Sequence, residues 1–233
     1  MNRFLIIQLF SWCCFSYQAT VQDDSKLPIH AYDSALAAIS DDDGSVSPPR
    51  FMYIETIQDD KGNRLVRQFD THALYNEAIV LENEGEDLSE LQIDWSVPLQ
   101  VNAQIFTHLA PVLCDEDDQS WVYCANAPVS VDVENEADAQ DANQLIQENL
   151  LSKVWVDKNT FEFTRMTIFN TETIHPSPLA RIDRFKIVLE FARAWSDGPL
   201  LTVHASRRLK GKYGFFISLD EFLEQTISNV QAL

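Results

Sequence analysis

The chain has 233 residues, 45% of them hydrophobic, and carries 36 acidic against 17 basic residues, for a formal net charge of −19. This length is sufficient for one large domain that buries its own hydrophobic core. Because nucleic acids and anionic membranes are bound through clustered lysines and arginines, we expect no nucleic-acid partner.

The charge is distributed unevenly along the chain. Residues 68–152 contain no lysine or arginine and hold 18 of the 36 acidic residues. From residue 153 onward there are 11 basic and 9 acidic residues. The acidic half predicts a solvated surface, and the alternative interpretation is a site for a basic partner or a cation.

The first residues are typical of an export signal, which we assign to residues 1–19. A basic start, Met-Asn-Arg, precedes the apolar sequence FLIIQLFSWCCF, and small residues follow at Ser16 and Ala19. Cleavage fits after Ala19, and cleavage after Ser16 is the alternative. The apolar stretch is too short for a stable membrane span. We therefore expect a periplasmic or secreted protein with no integral membrane span after cleavage.

Two cysteines inside this signal, Cys13 and Cys14, raise the question of a lipoprotein anchor. A lipoprotein signal needs small residues just before the modified cysteine, and here Trp12 intervenes. We therefore interpret both cysteines as apolar residues of the signal and expect no lipid anchor.

Residues 20–49 predict a short helix followed by an acidic linker, and residues 50–233 predict a single β-rich domain. The helix is expected around Tyr32 to Ile39, and the linker ends at Pro49. Residues 51–70 alternate apolar and polar side chains around Asp-Asp-Lys-Gly-Asn, which indicates a β-hairpin. The following segment, 77–95, is ambiguous, although its later part has helical spacing.

Two further cysteines, Cys114 and Cys124, flank a short acidic stretch, and between them Ser-Trp-Val-Tyr indicates a strand. In an exported chain such a pair is a candidate disulfide. No histidine or further cysteine lies nearby to complete a zinc site, so we expect no metal. The contiguous acids after Cys114 also lack the glycine and the spacing of a calcium loop.

The C-terminal third has the clearest pattern. Residues 150–157 and 160–170 predict two strands joined by a two-residue turn at Lys158 and Asn159, and the prolines of His-Pro-Ser-Pro (175–178) are expected to interrupt the next strand. From Arg184 onward, apolar residues alternate with polar ones in successive strands. This pattern indicates an antiparallel meander with one apolar face and one solvent-exposed, wet face. The wet face would carry Lys186, Glu190, Thr202, His204, Ser206 and Arg208.

Aromatic and aliphatic residues would line the apolar face if the sheet curls. One interpretation is a core covered by helices, and the other is a partly open pocket for an apolar ligand. The residues expected to line that pocket are Phe161, Phe163, Phe185, Leu189, Phe191, Val203 and Phe215.

The only basic cluster of the sequence comprises Arg207, Arg208, Lys210 and Lys212. In a β-hairpin such a cluster is usually a solvated turn. The functional alternative is a patch that docks onto lipid headgroups or onto an acidic partner, such as another protein of the cell envelope.

No catalytic motif is present, whether a zinc-binding His-Glu-x-x-His, a Gly-x-Ser-x-Gly elbow or a phosphate loop. We therefore expect no cofactor and no enzymatic activity. A hydrolase that uses paired carboxylates stays open, since so many acids are present, but nothing marks which of them would act.

The order of these elements resembles the bacterial lipoprotein-carrier class of envelope proteins (LolA/LolB-like). The segments that carry the resemblance are KVWVDKNTFEFTRM (153–166), RFKIVLEF (184–191) and SDGPLLTVHAS (196–206), while 51–70 resembles the opening of other exported bacterial proteins. The resemblance implies an α+β fold in which a curved antiparallel sheet, a half-open barrel, packs a few helices. It also implies a non-enzymatic protein that binds a lipid or another apolar ligand on the concave face. The alternative is an interaction protein with a packed core whose acidic half (68–152) binds a basic partner or a cation.

Overall fold

A computed structural model describes residues 28–40, 49–71, 78–85, 99–127, 148–177, 179–214 and 217–233 of the chain. These ranges contain two helices, α1 (Pro28–Ser40) and α2 (Gln104–Thr107), and eleven strands. The strands are β1 (Phe51–Asp59), β2 (Arg64–Asp70), β3 (Ile79–Glu84), β4 (Val112–Glu116), β5 (Ser120–Asn126), β6 (Leu150–Asp157), β7 (Phe163–Asn170), β8 (Ile174–Ser177), β9 (Ala180–Arg193), β10 (Leu200–Tyr213) and β11 (Ile217–Ala232).

All eleven strands belong to one antiparallel sheet in the order β3-β2-β1-β11-β10-β9-β7-β6-β5-β4, and β8 pairs with β9 beside this path. The N-terminal hairpin β1–β2 joins the sheet through the C-terminal strand, because β1 pairs with β11 from Phe51 opposite Ala232 onward. The sheet is open, with β3 and β4 at its two ends. The predicted α+β class with a large antiparallel sheet is therefore confirmed.

Strand alternation gives this sheet two faces of different chemistry. On what we call the inner face, one cross-strand row joins Tyr123, Val154, Met166, Leu189 and Ala205, and all five are buried. Directly opposed side chains of this kind are the units that stabilise a sheet.

The neighbouring row points to the other side, which we call the outer face. It joins Trp155, Arg165, Glu190 and His204, none of which is fully buried. The apolar–polar alternation read from the sequence corresponds to these two faces along β9 and along β10 from His204 onward. Thr202 departs from it: the register shift at Val203 places Thr202 opposite the buried Phe191, and Thr202 is only 4% exposed.

The main core lies between the inner face and the two helices. Helix α1 begins at Pro28, which suits a first helical residue because its missing N–H would have no acceptor in the helix. It buries Ala31, Tyr32, Ala35 and Ile39 along one side, and it packs against β5 and β6. The predicted helix around residues 32–39 is thus present. In the described residues no helix is long and apolar enough to cross a membrane.

The structure corrects two details of the sequence interpretation. The connection between β6 and β7 is not the expected two-residue turn, because it runs from Lys158 to Glu162 and places Phe161 at a positive φ of 55°. The expected interruption at His175 and Pro176 is itself a short strand, β8. Proline is tolerated there because β8 lies beside the main strand order and pairs with β9 alone.

Several expected elements lie outside the described residues. They are the export signal (1–19), most of the acidic linker and the helical spacing of residues 86–95. Within the ambiguous segment 77–95, Ile79–Glu84 forms β3, which pairs with β2.

The predicted disulfide between Cys114 and Cys124 is present, with a Cα–Cα distance of 5.7 Å. Cys114 is the extra residue where the β4–β5 register shifts between Leu113 and Asp115. A bulge leaves its extra residue outside the ladder of paired residues. The bridge therefore ties an edge strand of the sheet to the buried strand β5.

Replacing both Cys114 and Cys124 with serine should lower the free energy of unfolding by roughly 3 kcal/mol, the loop-closure value for a ring of this size. Urea unfolding of the mature protein under oxidising conditions measures this change. Thiol labelling of the native, unreduced protein should find no reactive cysteine, and two labelled thiols would refute the bridge.

Two aspartates organise the tight turns of the sheet. Asp59 accepts hydrogen bonds from the backbone N–H groups of Lys61 and Asn63, both at 2.9 Å, and from the Asn63 side chain at 2.8 Å. Asp157 accepts backbone N–H bonds from Asn159 and Thr160, both at 2.8 Å. Partial burial raises the pKa of each carboxyl, but these hydrogen bonds to the charged form outweigh burial and the net pKa is lowered.

Acid should therefore weaken both turns. A carboxyl whose pKa is lower in the folded state stabilises the fold fully above its unfolded pKa, about 3.9 for Asp, and this stabilisation disappears as pH falls through the folded value. The variant carrying Asp59→Asn and Asp157→Asn should be less stable than the wild type at pH 7, and by a smaller margin at pH 3. Urea unfolding at the two pH values tests this, and an equal difference at both would contradict it.

Candidate functional site

The residues predicted to line a pocket lie at different depths of the inner face. Phe163, Leu189 and Phe191 are buried in the main core, and Phe161 and Phe185 pack against its margin, half-buried. Val203 is the extra residue where the register between β9 and β10 shifts. Phe215 lies outside the described residues.

Aromatic rings of the protein itself cover the deepest of these residues. The Phe106 ring of α2 stacks on Phe163 with a centroid distance of 4.0 Å and packs edge-on against Phe191 at 5.9 Å. Tyr32 of α1 meets Phe163 edge-on at 5.3 Å, and its hydroxyl donates a hydrogen bond to the Phe106 carbonyl at 3.1 Å. At these residues the inner face is therefore packed by the two helices.

An open apolar groove lies beside this packed region, between the start of α1 and the β4–β5 edge. Its volume is about 680 Å³. Three of its apolar side chains are strongly exposed, Ile29 at 73%, Val112 at 65% and Leu113 at 48%. Exposed apolar side chains that converge on one concavity are typical of a binding site, whereas single scattered ones are not. We call this the edge groove.

Two tyrosines separate the edge groove from the core. Tyr32 and Tyr123 both line it, with ring centroids 5.3 Å apart, and the Tyr123 hydroxyl donates to the carbonyl of Pro28. Burial, reinforced by the nearby charge of Asp33, raises the pKa of Tyr32. Burial also raises the pKa of Tyr123, although a hydrogen bond with the Tyr32 backbone lowers it in part. Both phenols therefore stay neutral at physiological pH and present rings to the groove.

Sequence reasoning missed the edge groove. Ile29 and Tyr32 belong to the predicted helix region, and Val112 precedes the predicted disulfide, but these segments are far apart in the chain. The signal available in the sequence was the apolar run Pro-Val-Leu (111–113), which lies directly before an acidic stretch. No polar residue alternates with the apolar residues of this run.

The basic cluster of β10 does not form a single patch. Alternation places Arg207 on the inner face, 3.8 Å from Glu221, and Arg208 on the outer face, 2.5 Å from Asp220. Lys210 lies 3.7 Å from the same Asp220, and Lys212 is exposed. Three of the four cations thus have a carboxylate partner, which reduces the charge available for docking.

Another charged group is buried on the inner face at the far side of the sheet. The Glu55 carboxylate receives the guanidinium of Arg67 and, at 2.7 Å, the side-chain amide of Gln225. Glu55 belongs to β1, Arg67 to β2 and Gln225 to β11. The small apolar cluster of Ile57, Leu65 and Leu223 lies on the same face. Burial raises the pKa of the neighbouring Tyr53 to about 12, Glu55 adds to this effect and Arg67 opposes it. Because Glu55 and Arg67 satisfy each other's charge and Gln225 adds a hydrogen bond, we interpret the Glu55–Arg67 pair as a structural feature of this end of the sheet.

The described part of the acidic half shows no arrangement for a cation. No group of three or more His, Cys, Asp or Glu side chains is placed to hold a metal ion in the described ranges. Two of its carboxylates contact cations of the chain itself, Glu82 with Arg64 and Glu116 with Lys158. A partner for this half stays a prediction.

Comparison with known proteins gives little further information. No protein-family model matches the chain, and no curated protein sequence matches it. Among solved structures, it is similar to the LolA superfamily protein NE2245 from Nitrosomonas europaea, at 10% sequence identity and a TM-score of 0.37, over 87% of this chain and 93% of that one. A likeness of this extent assigns neither a family nor a ligand to the chain.

The aromatic contacts on the inner face predict a specific stability effect. Phe106→Ala should lower the free energy of unfolding by about 3–5 kcal/mol, because it removes a fully buried ring and leaves a cavity against Phe163. Tyr32→Phe is the control, since it keeps the ring and removes one hydrogen bond worth about 1 kcal/mol. Urea unfolding compares the two. A loss below that of Tyr32→Phe would show that Phe106 is not packed against the sheet.

Proposed function

We propose that this chain is an exported, non-enzymatic periplasmic protein that binds a lipid-like apolar ligand in the edge groove. The observation that carries the proposal is the convergence of Ile29, Val112 and Leu113, all strongly exposed, on one concavity beside the core. Covering such side chains with a hydrocarbon chain removes apolar surface from water, which is the main favourable term in binding of this kind.

The groove is built from two rigid elements. Its α1 side is held by the burial of Ala31, Tyr32 and Ala35 in the core. Its β4 side is held by the disulfide that joins Cys114 to β5. A groove that is formed before the ligand arrives costs less ordering entropy on binding. The disulfide thus supports both the site and an oxidising compartment such as the periplasm.

The predicted inner-face residues would form the deep end of the same site. Tyr32 lines the groove and also packs on Phe163, so one ring separates the ligand from the core. A ligand that displaced Tyr32 and Phe106 would contact Phe163, Leu189 and Phe191. The edge groove supplies the entrance, and in the free protein the rings of Tyr32 and Phe106 separate it from this deep end.

Two edge-strand valines give a matched test of this site. Val112 in β4 is 65% exposed at the groove, and Val80 in β3, at the other end of the sheet, is 58% exposed. Val112→Asp should weaken uptake of an environment-sensitive apolar dye by about tenfold or more, because the carboxylate would be desolvated against the ligand. Val80→Asp adds the same charge and should leave uptake unchanged.

The native ligand can be sought in the same material. The mature protein, purified gently from the periplasm, should show a mass adduct under native conditions that is lost on denaturation and recovered in an organic extract. The adduct should be depleted in Val112→Asp and retained in Val80→Asp. An apo mass together with no dye uptake by the wild type would refute the proposal.

A further inference from the structure

A second concavity lies on the outer face, away from the edge groove, over the middle of the sheet. Its volume is about 890 Å³, and strands β6, β7, β9, β10 and β11 contribute to it. Its chemistry combines aromatic rings with cations, in contrast to the apolar lining of the edge groove. The residues that characterise it are Trp155, Arg165, Thr167, Phe169, Lys186 and Phe222. We call it the outer groove.

The register of the strands brings these groups together. Arg165 lies opposite Trp155 across β6–β7, and its guanidinium carbon is 5.2 Å from the centre of that ring. Lys186 lies opposite Phe169 across β7–β9. Because alternate residues of a strand share a face, Thr167 stands between Arg165 and Phe169, about 7 Å from each along β7.

The cations of the outer groove are largely free of carboxylates. Among the described residues, Lys153, Arg165, Arg184 and Lys186 all line the groove and form no ion pair within 4.0 Å. Arg208 is the exception, since Asp220 and Asp60 contact it. In a chain with a net charge of −19, four uncompensated cations in one concavity need an explanation.

Two carboxylates of the outer face, those of Glu190 and Glu224, are directed at His204. Glu190 is the β9 partner of Arg165, but its carboxylate lies 3.6 Å from Nδ1 of His204. Glu224 contacts the other ring nitrogen of His204 at 2.8 Å. Both acids are therefore directed at His204, and Arg165 has no ion-pair partner within 4.0 Å among the described residues.

Two buried polar atoms at the floor of the groove lack partners. Nε of Arg165 and Oγ1 of Thr167 are inaccessible to solvent and make no hydrogen bond in the described structure. Thr167 is only 5% exposed, yet its side chain lines the groove. Buried donors without partners are rare in native proteins because each one forfeits its hydrogen bond to water. Because Arg165 and Thr167 both line the concavity, an acceptor bound there would supply the missing bonds.

We propose that the outer groove binds an organic phosphate. Its phosphate oxygens accept hydrogen bonds from the Arg165 guanidinium and the Thr167 hydroxyl and are neutralised by Lys186. Its apolar part packs on the rings of Trp155, Phe169 and Phe222. Several donors from different directions suit the multiple acceptor oxygens of a phosphate, and arginine is the residue best matched to it.

The same chemistry is found in a phospholipid headgroup and in a soluble phosphate attached to a ring system. Dihexanoyl phosphatidic acid, used below its aggregation concentration, represents the first source, and naphthyl phosphate represents the second. Titration calorimetry with each, and with inorganic phosphate, measures the affinities. At least one organic phosphate should bind about tenfold more tightly than inorganic phosphate, because only the organic compounds cover the aromatic rings. The tighter of the two identifies the source.

Substitutions of the groove residues test the assignment. Arg165→Met and Lys186→Met should each weaken binding of the better probe by about tenfold, since each removes a charge-assisted contact. Lys158→Met is the matched control. It makes the same change in net charge, and Lys158 also lies over a tryptophan, Trp121, but outside the groove. Its affinity should equal that of the wild type.

Thr167→Val separates binding from structure. Because the hydroxyl has no partner in the free protein, valine should leave the melting temperature unchanged or raise it, while the affinity falls about fivefold. A lower melting temperature with unchanged affinity would show a structural hydroxyl and overturn the proposal. So would the absence of binding by both organic phosphates, or an equal loss of affinity in Lys158→Met.

This test is independent of the edge groove. Dye uptake and its sensitivity to Val112→Asp report on the edge groove between α1 and the β4–β5 edge, and Thr167→Val should not affect them. If no organic phosphate bound, the proposal for the edge groove would therefore be unaffected. If no dye bound, the proposal for the outer groove would likewise be unaffected.

Discussion

The structure depends on the register that aligns Tyr123, Val154, Met166, Leu189 and Ala205 in one row across five strands. A shift of one residue in any pair would move the apolar side chains of that strand to the outer face. The burial of this row against α1 and α2 opposes such shifts. It also fixes the adjacent row, Trp155, Arg165, Glu190 and His204, on the other side.

One sheet thus carries two different environments on its faces. The inner face is apolar where the helices cover it at the main core, and its far side carries the Glu55–Arg67 and Arg207–Glu221 pairs. The outer face has no helix packed on it among the described residues, and it collects aromatic and basic side chains over strands β6 to β11. The proposed apolar site and the proposed phosphate site are consequences of this division, since each uses the chemistry of one face.

The net charge of the chain does not predict the electrostatics of its individual sites. A net charge of −19 argues against binding to polyanions, because the field of the whole surface repels them. That field is screened by salt over about 10 Å, whereas the cations of the outer groove act at contact distance. The basic cluster seen in the sequence is dispersed over both faces. The four cations that do converge come from three separate strands: Lys153 from β6, Arg165 from β7, and Arg184 and Lys186 from β9.

The sequence by itself determined the features that depend on neighbouring residues. Apolar alternation in β9 and β10 predicts their two faces, the hairpin at 51–70 follows from its turn residues, and the pairing of Cys114 with Cys124 follows from their number and spacing. Only the tertiary structure decided the rest. Nothing local in the sequence places β1 beside β11, brings Phe106 onto Phe163, or sets Ile29 next to Val112, because these contacts join distant segments and depend on how the whole sheet packs against its helices.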